Sequence, residues 1–224
     1  MKNYVGKQAI DDFPGLPDEL MRFLERDTYS LIIKGAAGTG KTTLALTILR
    51  ALGVRKNCLY ISTRTFPGEL FDHHSWLERF FGEPKSLLIT SSKLSTDLPV
   101  FVDARLEESS SIFEMITNKL MDTRAPMLII DTWDAIASLM DKEALISNSR
   151  VLETWRRRAV AKLILVVEQD SDATFDFLAD GMIQLKQEYF NGRRIREILL
   201  PKLRGVRINK PSYIFTLNNS IFKS

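Results

Sequence analysis

The sequence has one cysteine, Cys58, set in an apolar stretch; this excludes a disulfide framework and a cysteine-based metal cluster and predicts a buried core thiol. The opening residues Met1 to Val5 hold no apolar signal segment, and no later run approaches the length that spans a bilayer, so a cytoplasmic protein without a membrane segment is expected. Internal repeats and low-complexity tracts are also lacking. So is a strong charge imbalance: 31 Lys and Arg against 28 Asp and Glu leave a formal charge of +3, an ordinary mixed surface rather than one built to coat nucleic acid. A chain of 224 residues suits one sizeable α/β domain, residues 1–224, which should bury roughly 70% of its unfolded surface. Within it, 1–28 reads as a mildly acidic lead-in broken by Pro14-Gly15 and Pro17 and closing in a short amphipathic helix, and 182–224 as a β-hairpin extension.

What is present is Gly35-Ala36-Ala37-Gly38-Thr39-Gly40-Lys41-Thr42, which fits the phosphate-loop pattern G-x-x-x-x-G-K-[ST] at every fixed position. Its flanks agree. Tyr29 to Lys34 reads as a buried parallel strand, and Thr42 to Leu52 as a helix with Leu44, Ala45, Ile48 and Leu49 at helical spacing, ended by Gly53 in a left-handed cap. Glycines let backbone N–H groups turn toward phosphate oxygens, and the free N–H groups of the helix start add partial positive charge. The pattern assigns the loop and Thr43 to nucleotide binding, Lys41 to the β and γ phosphates, and the Thr42 hydroxyl to Mg²⁺.

Farther along, Cys58 to Ser62 reads as the second strand, Thr63 to Leu70 as a turn around Pro67-Gly68, and Leu70 to Phe81 as one helix. His73-His74 within that helix reads as surface or rim structure, since adjacent histidines point to different sides of a helix. Leu87 to Thr90 and Val100 to Asp103 are short strand candidates either side of the polar run Ser91 to Asp97. Ser111 to Arg124 reads as a helix opened by a Ser111/Glu114 capping box. Met127 to Asp131 is an apolar strand ending in a carboxylate about 90 residues after the loop, the Walker B pattern. Placed on the strand neighbouring the loop strand, Asp131 would hold Mg²⁺ through a coordinated water, with Asp134 a local competitor. The helix Lys142 to Ala161 ends near Arg156-Arg157-Arg158, read as serving the helix dipole and solvent. Leu163 to Val167 is the next buried strand, and Glu168 follows it where ligands of open α/β sheets bind. Two hairpins close the chain, turning at Asn191-Gly192 and Asn218-Asn219. Between Arg193 and Lys210, seven basic residues face one acid, Glu197.

The loop, the Asp131 strand and the basic hairpins together resemble the RecA-superfamily ATPases, specifically the KaiC-like group, over about residues 13 to 222. Ile61-Ser62-Thr63-Arg64 and His74-Ser75-Trp76-Leu77-Glu78 are closer still to the gas-vesicle regulator GvpD and to archaeal Rad-type proteins. Leu178 to Leu185 is similar to the "LADGVIxL" stretch and Lys202-Leu203-Arg204-Gly205 to the "KxRG" stretch. The resemblance implies a mostly parallel RecA-type sheet flanked by helices, ATP and Mg²⁺ as ligands, a homo-oligomer in ring or filament form with nucleotide between protomers, and Lys202 and Arg204 reaching a neighbour's γ-phosphate. It also exposes a departure. Where the KaiC-like pattern places two glutamates after the second strand, one of which orients the attacking water, this chain has Arg64 and Thr65. Glu168 is a substitute base, or a hydrogen-bonding sensor. Three readings follow: a slow oligomeric ATPase whose nucleotide state controls assembly or a regulatory protein partner, a non-hydrolysing ATP-binding regulator or scaffold, and, ranked third because Asp170, Asp172 and Asp176 populate the expected phosphate contact, a recombinase-like DNA-binding ATPase.

Overall fold

A computed structural model describes residues 15–54, 57–82, 88–89, 100–120, 125–168, 176, 179–218 and 221–223. Their strands are β1 Tyr29–Gly35, β2 Cys58–Ser62, β3 Leu88–Ile89, β4 Val100–Asp103, β5 Met127–Asp131, β6 Lys162–Val167, β7 Gly181–Phe190, β8 Arg193–Leu203, β9 Ser212–Asn218 and β10 Ile221–Lys223. The helices are α1 Asp18–Leu24, α2 Lys41–Ala51, α3 Pro67–His73, α4 Trp76–Phe81, α5 Ser109–Leu120, α6 Trp133–Ala137 and α7 Lys142–Ala159. All ten strands join one sheet in the order β10-β9-β8-β7-β1-β6-β5-β2-β4-β3. From β3 to β7 the neighbours run parallel, and from β7 to β10 antiparallel.

The continuous apolar runs of the sequence follow from burial on both faces of the parallel part. Leu31, Ile33, Ile129, Ile164 and Val166 enter one core cluster with residues of α1 to α4, whereas Ile32, Leu128, Ile130, Leu163 and Leu165 enter a second with residues of α5 to α7. Each fully buried aliphatic side chain contributes about 1.5–3 kcal/mol. Cys58 lies in the first cluster, where burial pushes its thiol up to about 12.

Local signals hold where they depend on short-range geometry. The α2 C-terminus is a Schellman motif: Val54 N–H donates to Leu49 O and Gly53 N–H to Arg50 O, with Gly53 at φ 62°. In the β7–β8 turn Asn191 and Gly192 both take positive φ, 49° and 71°, as a type I′ turn requires.

Other expectations need correction. Pro67 does not form a turn but opens α3 at the first helical position, where its missing N–H costs nothing. The expected single helix from Leu70 to Phe81 is two, interrupted at His74, whose backbone leaves helical geometry (φ −126°, ψ 70°) while its side chain turns inward. Ser111 lies inside α5 rather than at its cap, because the helix already begins at Ser109. The polar run Ser91 to Asp97, residues 1–14, Asp170, Asp172 and the end of the expected helix at Arg124 lie outside the described residues.

Glu19 of α1 ties the lead-in to the hairpins. Its carboxylate, buried at 4% exposure, accepts from Tyr213 Oη at 2.5 Å and from the Asn209 and Lys210 N–H groups at 3.3 Å each. The Tyr213 hydroxyl, foremost, and these N–H donors hold its pKa at about 2, below the usual 4.5. The folded state therefore gains stability in full above pH 4.5 and loses it as pH falls toward 2. Wild type should exceed Glu19→Gln in denaturant midpoint at pH 7, and the gap should narrow at pH 3. A gap equal at both pH values would contradict this assignment.

Candidate nucleotide site

The loop begins where β1 ends, and its glycines are there for two different reasons. A Cβ on Gly35 would meet Leu185 O at 2.7 Å and Thr39 Oγ1 at 2.8 Å, so only glycine lets β1 lie this close to β7. Gly38 and Gly40 take φ 77° and 103°, left-handed values that side chains resist. Gly40 immediately precedes α2, so the first N–H groups of that 11-residue helix open onto the loop.

Lys41 is buried at 7% exposure, and its ammonium donates to Gly35 O at 2.7 Å, Ala36 O at 3.0 Å and Glu168 Oε2 at 3.1 Å. The neighbouring Thr42 hydroxyl donates to Asp131 Oδ2 at 2.7 Å, and Tyr60 Oη donates to the same oxygen at 2.6 Å. Burial raises the Asp131 pKa, opposed by these two hydrogen bonds and by the charge of Lys41. A divalent cation beside Asp131 would offset that burial. Hydroxyl and carboxylate oxygens are the hard donors Mg²⁺ takes, and it completes its shell with water and substrate phosphate. The residues thus fit the ion, Thr42 and Asp131 being the ones that would hold it.

Asp131 reaches Thr42 from the expected strand, but that strand does not neighbour the loop strand. β6 lies between β1 and β5, so the Asp131 strand is second from the loop strand. Chain order does not dictate spatial order in a parallel sheet, since each crossover can skip a place. The gap is bridged by side chains, Thr42 from the helix start and Asp131 from the strand end. Asp134, the local competitor, instead accepts the Glu168 N–H at 2.6 Å.

Glu168 is held by two cations. Its Oε2 faces Lys41, and its Oε1 accepts from Arg64 Nη1 at 2.8 Å. Arg64, at the end of β2 where the resembled pattern has glutamate, is half exposed at 53%. Thr65 contributes its backbone carbonyl to Ser62 Oγ.

Lys202 and Arg204 are not brought to their own loop. Ile198 on β8 is level with Leu185 and Gly35, and the two basic residues lie roughly 10 to 20 Å farther toward the amino end of β1. A bulge in β8 around Pro201 shifts the alternation by one residue. Ile198 and Leu200 are buried, and after the bulge Leu203 is buried instead of Lys202, so Lys202 and Arg204 share the opposite side. Lys202 Nζ donates to Asp176 O at 3.2 Å and Arg204 Nη1 to Asp180 Oδ1 at 2.9 Å.

Three residues carry buried polar contacts that the sequence did not announce, His74 and Tyr60 at the site and Arg156 at the amino end of β1. His74 is buried: its Nε2 lies 3.2 Å from Thr43 Oγ1 and its Nδ1 3.0 Å from Leu70 O. A carbonyl can only accept, so Nδ1 carries the proton and Nε2 accepts from Thr43. Burial lowers its pKa, keeping it neutral. Phe71 and Leu77, three residues before and after it, carried the inward-facing signal. Arg156 does not serve solvent; at 4% exposure it pairs with Glu153 at 2.8 Å and Asp180 at 3.2 Å, whereas Arg157 is exposed. Tyr60, in an apolar strand, gave no polar signal at all.

A phosphate loop after β1, a buried carboxylate on β5 and a parallel sheet continued by antiparallel hairpins mark a P-loop protein, with a fold shared by KaiC-like proteins. A KaiC-like protein from the hyperthermophilic archaeon Pyrococcus horikoshii has the same fold, with TM-score 0.69 and 20% identity over 88% of this chain and 89% of that one. The family model "GvpD gas vesicle protein, P-loop domain" matches residues 20–201, and the chain belongs to that family. Proteins GvpD1 and GvpD2 of Halobacterium salinarum are similar to it, at 29% and 28% identity over 95% and 93% of this chain. The chain spans 41% and 44% of the length of those two relatives. It carries the nucleotide-binding P-loop domain of that family, and among the described residues no helix is long and apolar enough to cross a membrane.

Proposed function

We propose that the chain binds Mg·ATP through Gly35 to Thr43, with Lys41 on the β and γ phosphates and Thr42 and Asp131 on the ion, and that it works in the cytoplasm as a slow oligomeric ATPase whose nucleotide state controls assembly or a regulatory protein partner. The observation that carries this reading is the 2.7 Å bond between Thr42 and Asp131 beside the buried Lys41 ammonium. ATP supplies the phosphoanhydride to be cleaved and Mg²⁺ the charge that polarises it. The chain's part is to hold the phosphates with loop N–H groups and Lys41, and to offer Lys202 and Arg204 to the nucleotide of a neighbouring protomer. Their distance from their own loop supports a role in trans.

Slow turnover follows from Arg64 and Thr65, neither of which can take a proton from water, since general-base help is worth about 10² to 10⁴ in rate. Both oxygens of Glu168 are already engaged by cations. The same pairing favours the second reading, a non-hydrolysing ATP-binding regulator. Particle mass and ATP turnover, measured together over a protein concentration series with and without Mg·ATP, separate the two. Turnover that is slow and rises with assembly is expected; assembly without turnover would replace the ATPase reading by the regulator. Any residual rate carried by Glu168 should vanish in Glu168→Gln while nucleotide binding persists.

A further inference from the structure

Lys41 has three N–H donors, and all three are engaged, two by loop carbonyls and one by Glu168. A γ-phosphate can therefore gain Lys41 only by displacing one of these acceptors. The carbonyls of Gly35 and Ala36 belong to the loop backbone, whereas Glu168 is a side chain with 27% exposure. Glu168 is the exchangeable partner, and its carboxylate stands where an anion meets Lys41.

The other oxygen of that carboxylate belongs to Arg64. One carboxylate joining the two cations keeps Lys41 Nζ and Arg64 Nη1 within about 8 Å, a span that one phosphate with a charge-assisted hydrogen bond on either side also covers. A doubly charged phosphate entering beside Glu168 meets a like charge, and the site relieves the repulsion only if a second cation turns to it. Arg64 is the candidate: half exposed, and with N–H donors beyond the one that Glu168 uses.

We propose that Arg64 is a γ-phosphate ligand acting within its own protomer, exchanged from Glu168 onto the terminal phosphate, so that the site distinguishes nucleoside triphosphate from diphosphate. This rests on the nucleotide reading of the loop. Arg64 then stands in place of a water-orienting carboxylate as a sensor: the position has given up a base and gained a cation that reports whether the γ-phosphate is present. A diphosphate ends one phosphate short of the Glu168–Arg64 pair and leaves it closed.

The test is calorimetric titration of Mg²⁺ with either ADP or the β,γ-imido analogue of ATP into the full chain. Wild type should prefer the triphosphate. Arg64→Ala should weaken triphosphate binding about tenfold or more and leave ADP affinity within about twofold, with Arg64→Lys between. Arg64→Ala made in a Glu168→Gln background, where Arg64 has no carboxylate to hold, should lose the same preference; no further loss there would reduce Arg64 to a structural partner of Glu168 and overturn the proposal. Equal changes for both nucleotides, or none, would also overturn it while the nucleotide reading stands. A wild type that binds neither nucleotide would remove both.

Discussion

Lys41→Ala is expected to weaken Mg·ATP binding about 10²-fold or more while leaving the protein folded. Lys41 carries the one full positive charge within the loop, and its charge-assisted bonds to phosphate are worth about 1.5–3 kcal/mol each. The fold depends on it far less, because its present acceptors are two carbonyls at the mouth of the loop and Glu168, which keeps Arg64 in the variant. Thr42→Ala should act differently, reducing the Mg²⁺ dependence of binding more than binding itself. Fluorescent-nucleotide titration of both variants, with circular dichroism to verify folding, checks the pair. A folded Lys41→Ala with wild-type affinity would remove the loop from nucleotide binding.

The second large effect is expected between protomers. Lys41→Ala and a Lys202→Ala/Arg204→Ala double variant should each be defective alone, yet a mixture should recover part of the ATP-dependent association or turnover. A mixed assembly contains some interfaces in which an intact loop meets an intact Lys202 and Arg204. A trans arginine is worth about 10³ to 10⁵ in phosphoryl transfer, so even a minority of restored interfaces is measurable. The arrangement needs both side chains on one side of the chain, which their spacing of two gives, and the bulge around Pro201 sets that side away from the buried Leu203. Arg204 is further oriented by Asp180, whose second oxygen is anchored by the buried Arg156. Mixtures that recover nothing while both variants still assemble would show that the two residues act elsewhere.

Features legible in the sequence were those set by a few consecutive residues. The strand, loop and helix around Lys41, the Schellman end at Gly53, the Asn191-Gly192 turn and the carboxylate closing β5 each follow from local backbone preference. Strand order was not legible: an apolar run shows that a strand is buried on both faces, not which strand lies beside it, and β6 came to lie between β1 and β5. Arg156 was misread for a related reason. Three arginines at a helix end look alike in sequence, but the helix turns by about 100° per residue, which sends Arg156 into the protein and Arg157 out of it. His74 was misread because a polar pair looks like surface, although Leu70, Phe71 and Leu77 at three- and four-residue spacing place its ring on the buried face, where it meets Thr43. The Arg64–Glu168–Lys41 chain joins three residues from the ends of two strands and the start of a helix, and only tertiary placement could bring them together.

The Lys41 loop and Asp131 together form the proposed Mg²⁺-dependent nucleotide site. Calorimetric titration of ATP into wild type, with Mg²⁺ and with the ion chelated, tests it most directly when repeated on Asp131→Asn. One site per chain is expected, with binding that weakens when Mg²⁺ is removed from wild type and a much smaller effect of removing it from Asp131→Asn. No binding by wild type, or binding equally indifferent to Mg²⁺ in both proteins, would contradict it.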